Sequence, residues 1–83
     1  MGKKVMIYTL STCSHCSACK RFLNSNHIDY EYVDVDLLTG GSRQEAIDKV
    51  KAHNPSLSFP TILIGKRVII GFKEEEIKDA LGI

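Results

Sequence analysis

The hydrophobic and polar positions along the chain predict seven regular elements in the order β-α-β-α-β-β-α. Four short runs rich in Val, Ile and Tyr are typical of strands, whereas three longer segments place their apolar residues on one side of a helix. The strands are predicted over residues 5–10, 30–35, 61–64 and 67–70, and the helices begin near residues 14, 42 and 74. The apolar arc of the first helix comprises Cys16, Ala18, Cys19, Phe22 and Leu23.

Local signals define where the predicted helices begin and end. The run Ser42-Arg43-Gln44-Glu45 has the spacing of a capping box, so the second helix is predicted to start there, after a loop over 37–41 that contains two adjacent glycines. Asn54-Pro55 stops this helix, because a proline disfavours helical backbone angles in the residue before it. Three glutamates at 74–76 put negative charge on the first turn of the last helix, where the helix dipole favours it. Gly82 suits the C′ position at its end.

The predicted elements define an α/β fold. The first β-α-β unit requires two parallel strands joined by a right-handed crossover. Gly65-Lys66 between the last two strands is a two-residue hairpin signal, so these strands are predicted to be antiparallel. The expected result is a mixed four-stranded sheet with three helices covering its faces. A chain of 83 residues is too short for two independent cores, so one domain is predicted over residues 1–83.

Composition narrows the range of partners and compartments. The 11 Lys and Arg residues against 10 Asp and Glu leave a net charge of +1, which gives no long-range field for nucleic acid. No apolar run approaches the roughly 20 residues of a membrane span, and the first residues do not resemble a signal peptide. We therefore expect a cytoplasmic protein that binds neither nucleic acid nor membrane. In a reducing compartment, a close cysteine pair is typically catalytic or metal-binding rather than structural.

The candidate chemistry lies at Cys13 and Cys16, between the first strand and the first helix. A helix N-terminus presents unpaired N–H groups and about half a positive charge, so it favours an anion. A cysteine at that point is shifted toward the thiolate, which is the species that attacks disulfides. His15 lies between the two thiols. It either stabilises the thiolate as a cation or is an exposed side chain with little effect.

Cys19 is a third thiol, and two interpretations apply to it. It falls in the middle of the apolar arc of the first helix, where free cysteines are usually buried, so a packing role is favoured over a redox role. The run Cys-x-x-Cys-x-x-Cys is also found in iron–sulfur ligation, although this chain lacks a fourth cysteine.

Three motifs together resemble the glutaredoxins, small proteins of the thioredoxin fold: Cys13-Ser14-His15-Cys16 after the first strand, Phe59-Pro60-Thr61 opening the third, and Gly71-Phe72 before the acidic last helix. The resemblance covers essentially the whole chain and implies their three-layer fold. It implies that Cys13 is the exposed nucleophile and Cys16 the buried resolving thiol. It also implies that Pro60 follows a cis peptide bond, and that the backbone of Phe59 hydrogen-bonds an extended thiol substrate.

The resemblance also identifies a candidate glutathione site. Gly71, Phe72 and Glu74 fall where glutaredoxins bind the γ-glutamyl end of glutathione. Phe72 replaces a second glycine of the family pattern, and Leu10 replaces a lysine. Gly-Phe followed by a basic residue is more similar to the ribonucleotide-reductase-associated redoxins, which are reduced by thioredoxin reductase. Lys66, Arg67 and Lys73 either form a basic rim for an anionic thiol ligand or are solvated surface residues.

The sequence therefore predicts a glutaredoxin-type thiol–disulfide oxidoreductase that reduces protein disulfides or glutathione mixed disulfides through Cys13 and Cys16. We expect a monomer with no bound cofactor and no metal site, with glutathione as a candidate co-substrate and either glutathione or thioredoxin reductase as the electron source. One alternative is a redoxin dedicated to a single partner, such as an electron donor to ribonucleotide reductase. The other alternative is an iron–sulfur or metal-binding module.

Overall fold

The computed structural model describes residues 4–83, and the element order predicted from the sequence is confirmed there. Residues 1–3 of the predicted 1–83 domain lie outside the described part. The elements are β1 (Val5–Thr9), α1 (Ser14–Ser25), β2 (Glu31–Asp34), a 3₁₀ helix (Val35–Leu37), α2 (Gly40–His53), β3 (Thr61–Ile64), β4 (Arg67–Ile70) and α3 (Glu74–Leu81). None of the helices in residues 4–83 is long and apolar enough to cross a membrane.

The four strands form one mixed sheet in the order β2-β1-β3-β4. β1 and β2 are parallel, while the β1–β3 and β3–β4 pairs are antiparallel, as predicted. Thr9 pairs with Asp34, and Thr61 pairs with both Tyr8 and Ile70. This register brings together the loops that follow β1, β2 and β4 and the loop that precedes β3. We call this side of the sheet the upper edge.

The helices cover both faces of the sheet and divide the core into two clusters. On one face, Val5 and Ile7 of β1 pack with residues of α1 and α3, and the buried members of this cluster include Cys19, Leu23, Ile62, Ile69, Ile77 and Ala80. On the other face, Tyr8 packs with Ala46 and Val50 of α2 and with Val35. The alternation of β1 residues between the two clusters follows from the two-residue period of a strand. Burying each large apolar side chain contributes about 1.5–3 kcal/mol.

The predicted start of α2 is wrong by two residues. The helix begins at Gly40 with Thr39 as its N-cap, so the capping box predicted at Ser42 lies inside the first turn. The Arg43 N–H donates to the Thr39 carbonyl at 3.4 Å. Gly40 has a φ of +58°, which glycine adopts because it has no Cβ. The glycines therefore open the helix instead of extending the loop before it.

The second predicted strand is also shorter than expected. β2 covers Glu31–Asp34, and Val35–Leu37 forms the 3₁₀ helix. The Leu38 N–H donates to the Val35 carbonyl at 3.2 Å, which turns the chain away from the sheet. Val35 remains apolar and buried, but it packs against α2 rather than extending the ladder. The loop predicted over 37–41 is correspondingly reduced to residues 38 and 39.

Candidate active site

Cys13 lies at the upper edge and is the N-cap of α1. Its N–H donates to the Leu10 carbonyl at 3.1 Å, which closes a four-residue turn between β1 and the helix. The Cys16 N–H donates to the Cys13 Sγ at 3.3 Å. The side chain of Cys13 is partly exposed. The predicted position of this thiol at a helix N-terminus is confirmed, and the first turn of α1 directs an N–H at the sulfur, where it stabilises negative charge.

Cys16 differs from Cys13 in burial. Only 1% of the Cys16 surface is exposed. The pKa of its thiol is raised to about 12, mainly by burial and also by a hydrogen bond with the Cys13 side chain, while a hydrogen bond with the Leu10 backbone opposes the shift. Cys16 is therefore a neutral thiol beneath Cys13 in the reduced protein. It has the protected position that the sequence predicted for a resolving thiol, and its catalytic role stays a prediction.

Cys19 is fully buried in the cluster formed by β1, α1 and α3. Burial raises the pKa of its thiol to about 11, partly offset by the charge of Lys20. The predicted packing position of Cys19 is confirmed. All three cysteines are free thiols in this structure. His15 is exposed on the first turn of α1, and its effect on the pair stays a prediction.

The loop before β3 contributes a backbone segment to the upper edge. The Phe59–Pro60 peptide bond is cis, as the family resemblance implies. Within residues 4–83, neither the N–H nor the C=O of Phe59 forms a hydrogen bond. Phe59 itself is only partly buried, so these backbone groups are available to an extended ligand.

A buried asparagine holds this loop in place. Asn54 is 1% exposed, and its Nδ2 donates to the carbonyl and the hydroxyl of Ser58 at 3.1 and 3.0 Å and to the Thr61 hydroxyl at 3.1 Å. The Ser56 hydroxyl donates to the Asn54 Oδ1 at 2.7 Å. The sequence indicated Asn54 only as a helix terminator. Its partners all lie within the next seven residues, but nothing in the sequence shows that the loop between α2 and β3 folds around this side chain.

The structure brings the candidate glutathione residues to the same edge. The Gly71 N–H donates to the Pro60 carbonyl at 2.8 Å, which joins the end of β4 to the cis-proline loop. The Phe72 ring packs against the Phe22 ring of α1, with centroids 5.8 Å apart and the planes tilted by 59°. Glu74 is the first residue of α3, and its carboxylate lies 3.7 Å from the Lys78 ammonium.

Of the two interpretations of Lys66, Arg67 and Lys73, the basic rim is wrong for the first two residues, which are exposed surface residues away from the site. The turn at Gly65-Lys66 joins β3 to β4 where Ile64 pairs with Val5, at the start of β1. This position is three residues, or about 10 Å, along the strands from the upper edge. Arg67 forms an ion pair with Asp79 at 2.9 Å. A hairpin turn necessarily lies at the opposite end of its strands from their free ends, and the rim interpretation overlooked this. Lys73 does lie at the upper edge, with its ammonium 3.7 Å from Glu76.

Two carboxylates were missed in the sequence, Asp34 as the last residue of β2 and Asp36 in the 3₁₀ helix that follows. Asp36 accepts hydrogen bonds from the Ser11 N–H at 2.8 Å and the Ser11 hydroxyl at 2.5 Å, and these bonds hold the pKa of its carboxyl below the usual value. Asp34 accepts from the Thr9 hydroxyl at 2.5 Å and from the Lys20 ammonium at 3.2 Å. The available signal was an Asp-x-Asp run at the end of a strand predicted to be parallel to the one before the cysteine pair. Within residues 4–83, no group of three or more His, Cys, Asp or Glu side chains is arranged to hold a metal ion.

The fold and the cysteine pair define a redox protein of thioredoxin-like architecture. A sequence model of the family described as Glutaredoxin matches residues 5–69. The chain therefore belongs to the glutaredoxin family, which confirms the resemblance and implies thiol–disulfide oxidoreductase chemistry.

The proteins that are similar to this chain match it over different fractions of their own length. The structure of Methanosarcina acetivorans methanoredoxin is 44% identical with a TM-score of 0.93, and the match covers 98% of this chain and 86% of that one. The NrdH-redoxin of Escherichia coli is 26% identical with a TM-score of 0.77, covering 92% of each chain. Mitochondrial glutaredoxin-2 of Mus musculus is 29% identical over 68 residues, which are 81% of this chain. This match spans only 42% of the mouse protein.

Proposed function

We propose that this protein is a dithiol oxidoreductase in which Cys13 attacks a substrate disulfide and Cys16 resolves the intermediate. The observation that carries the proposal is the arrangement on α1. Cys13 is partly exposed and receives a backbone N–H on its sulfur, while the neutral Cys16 is buried one turn further on. One thiol is thus accessible at a helix N-terminus, where an anion is favoured, and the other is protected until a mixed disulfide has formed.

The first step is attack by the Cys13 thiolate on one sulfur of the substrate disulfide. A Cys13–substrate disulfide forms, and the other half of the substrate leaves as a thiolate, which takes a proton from solvent. The N–H and C=O of Phe59, which form no hydrogen bond within residues 4–83, support this step, because an extended peptide or thiol ligand can pair with them beside the cysteine. Such pairing aligns the attacked disulfide with the sulfur of Cys13.

In the second step, Cys16 loses its proton and attacks the Cys13 sulfur. The Cys13–Cys16 disulfide forms, and the remaining half of the substrate leaves as a thiolate that is protonated. Two electrons and two protons have then passed from the cysteine pair to the substrate. Two further thiol equivalents are needed to reduce the pair, and we propose that glutathione or thioredoxin reductase supplies them.

The second candidate is a redoxin dedicated to one partner and reduced by thioredoxin reductase. Two observations favour it. The Phe72 ring occupies the position after Gly71 and packs on Phe22, and the basic residues of the β3–β4 turn are far from Cys13. The NrdH-redoxin of Escherichia coli, a glutaredoxin-like protein with a thioredoxin-like activity profile, is similar to this chain over 92% of both chains.

Coupled assays of NADPH oxidation distinguish the two candidates. One assay supplies glutathione and glutathione reductase, and the other supplies thioredoxin reductase, each with a protein disulfide or a glutathione mixed disulfide as substrate. Turnover in the first assay alone supports a glutathione-dependent glutaredoxin, and turnover in the second alone supports the dedicated redoxin. Rates equal to those of the Cys13→Ser variant in both assays would contradict the proposed function.

A further inference from the structure

Two carboxylates contact residues on either side of the cysteine pair in the chain. Asp36, in the 3₁₀ helix, bonds to Ser11 before the pair, and Asp34, the last residue of β2, bonds to Lys20 after it. Asp36 accepts two hydrogen bonds from Ser11, one from the backbone N–H and one from the hydroxyl, and each goes to a different carboxylate oxygen. Ser11 is the second residue of the turn that Leu10 and Cys13 close. Asp36 therefore holds the turn that delivers Cys13 to the N-terminus of α1.

Asp34 makes the corresponding contacts on the other side. Its Oδ1 accepts from the Thr9 hydroxyl of β1 and from the Lys20 ammonium of α1. Lys20 and Asp34 are mostly buried, with 23% and 15% of their side chains exposed, and the ammonium also lies 4.0 Å from the centre of the Tyr32 ring. Ion pairs that are shielded in this way constrain geometry more than fully exposed pairs do. Asp34 thus ties the second turn of α1 to the sheet.

These contacts follow from the parallel pairing of β1 and β2. Thr9 and Asp34 lie opposite one another at the end of the ladder, and two residues further along each chain Asp36 bonds to Ser11. Within residues 4–83, the other hydrogen bonds of the turn are the one from the Cys13 N–H to the Leu10 carbonyl and the one between the Leu10 backbone and the Cys16 thiol. A surface turn with few hydrogen bonds opens more easily than a buried segment does, so the loss of the two bonds to Asp36 should increase its opening.

We propose that Asp34 and Asp36 are positioning residues that together fix the segment from Thr9 to Lys20 and hold the Cys13 sulfur at the helix N-terminus. We call this pair the β2 clamp. The inference rests on the proposed function in one respect, which is that Cys13 is the reacting thiol. It adds that the reactivity of Cys13 depends on two residues that do not touch the substrate.

The clamp and the charge of its carboxylates have opposite effects on a thiolate. A negative charge near Cys13 disfavours a second one, so removing the charge alone should increase the reactivity of Cys13. Releasing the turn should decrease it, because the Cys16 N–H then loses its alignment with the sulfur. Asp36→Asn separates the two effects. The asparagine side chain can still accept from the Ser11 N–H and donate to its hydroxyl, while the charge is removed.

The first experiment measures the rate at which iodoacetamide alkylates Cys13 at neutral pH, in variants that retain Cys16. Asp36→Ala should lower this rate by about tenfold, because a Cys13 sulfur that is no longer aligned with the Cys16 N–H has a smaller thiolate fraction. Asp36→Asn should react at least as fast as the wild type. Asp34→Ala, which removes the contacts with Thr9 and Lys20, should also lower the rate, although loss of its negative charge alone would raise it. Asp29→Ala is the matched control, because it removes an exposed carboxylate elsewhere on the surface.

The second experiment measures amide hydrogen exchange by NMR and does not depend on catalysis. The Ser11 and Cys13 amides should exchange about tenfold faster in Asp36→Ala than in the wild type or in Asp36→Asn. Equal exchange in all three proteins would overturn the clamp. So would faster alkylation in both Asp36 variants, since Asp36 would then act only through its charge. If wild-type Cys13 does not react at all, the proposed function fails, and the exchange rates still decide whether the clamp exists.

Discussion

Three thiols lie within seven residues of this chain, and burial gives them different chemistry. Cys13 is partly exposed and receives the Cys16 N–H on its sulfur. Cys16 and Cys19 are buried, and their pKa values are raised to about 12 and about 11. The thiolate is the nucleophile, so the two buried thiols react slowly with external reagents at neutral pH. The single accessible sulfur is the one at the helix N-terminus.

Cys13 and Cys16 are predicted to have different roles, the first as the nucleophile and the second as the resolving thiol. Cys13→Ser should abolish all disulfide reduction, because no other thiol is accessible. Cys16→Ser should lose reduction of protein disulfides, which needs the resolving step, and should keep exchange with glutathione mixed disulfides to the extent that glutathione binds. Iodoacetamide trapping at mildly acidic pH, followed by peptide mass spectrometry, should find the label on Cys13. Preferential labelling of Cys16 would reverse the assignment.

The positions of the cysteines on α1 and the cis bond before Pro60 were predictable from the sequence, whereas the roles of the cysteines stay predictions. A helix N-terminus has a sequence signature, and the cis proline belongs to a family motif. Asp34 and Asp36 were marked only by the Asp-x-Asp run, because their partners Thr9, Lys20 and Ser11 are set by the register of β1 with β2. A parallel register is not encoded in any short stretch of the chain, so these contacts could be recognised only in three dimensions.

At the scale of the element, α1 combines the chemistry at its N-terminus with packing along its length. The apolar arc predicted for it is confirmed, since Cys16, Cys19 and Leu23 are the buried residues of this helix. The helix is also attached to the rest of the protein at two points outside its apolar face. Lys20 pairs with Asp34 of β2, and Phe22 packs against Phe72 before α3. The orientation of α1, and with it the position of Cys13, therefore depends on contacts from both neighbouring elements.

Cys19 of α1 is predicted to have a packing role and no role in catalysis. Cys19→Ala should keep turnover within a few-fold of the wild type and should cost about 1 kcal/mol in free energy of unfolding, because a small buried side chain is truncated. The cost should shrink as the pH rises. The pKa of Cys19 is raised from 9.0 to about 11 in the folded protein. Between about pH 9 and pH 11 the unfolded wild type therefore loses this proton before the folded protein does, and the wild type becomes less stable. The alanine variant has no thiol at this position and does not lose stability in this way.

Urea unfolding under reducing conditions, at about pH 8 and about pH 10.5, measures both effects. Mass spectrometry of the oxidised protein should find Cys19 as a free thiol. A dominant Cys16–Cys19 disulfide would contradict the packing role, and a cost that grew with pH would contradict the assigned direction of the pKa shift.

Element boundaries were predicted best where the signal is local. β3, β4 and α3 begin and end where the hairpin turn and the run of glutamates indicated. The start of α2 was not predicted, because a capping-box spacing at Ser42 competed with a glycine pair whose positive φ is invisible in the sequence. The end of β2 was not predicted either, since Val35 suits a strand and a buried 3₁₀ turn equally well.

At the scale of the whole molecule, the sheet order places four loops at one edge. The turn before Cys13, the 3₁₀ helix with Asp36, the cis-proline loop and Gly71 come from four different strands, and hydrogen bonds join them in pairs. The sequence identified the cysteine turn, the cis-proline loop and Gly71 as parts of the site, but not the 3₁₀ helix. It did not predict that the β3–β4 turn lies at the other end, which removes Lys66 and Arg67 from the site.

The last prediction is that glutathione binds weakly. Glutathione carries two carboxylates, and the upper edge offers them little positive charge. Leu10 stands where a lysine is common, and Lys73 is paired with Glu76. The N-terminus of α3 can still bind a carboxylate through its free N–H groups, but three glutamate side chains occupy the same turn. We expect a dissociation constant of about 1 mM or weaker, which corresponds to about −4 kcal/mol.

Titration of glutathione into Cys16→Ser, followed through backbone amide shifts, tests this prediction. Leu10→Lys should tighten binding several-fold by restoring a cation beside the cysteine turn. Val68→Lys adds the same charge on an exposed position of β4 and should leave the affinity unchanged. Because Leu10 is partly buried, the thermal stability of its variant is measured alongside. Saturation of the shifts at Phe59, Gly71 and Phe72 at micromolar glutathione in the Cys16→Ser protein would overturn the prediction. It would also make glutathione, rather than thioredoxin reductase, the better-supported electron donor.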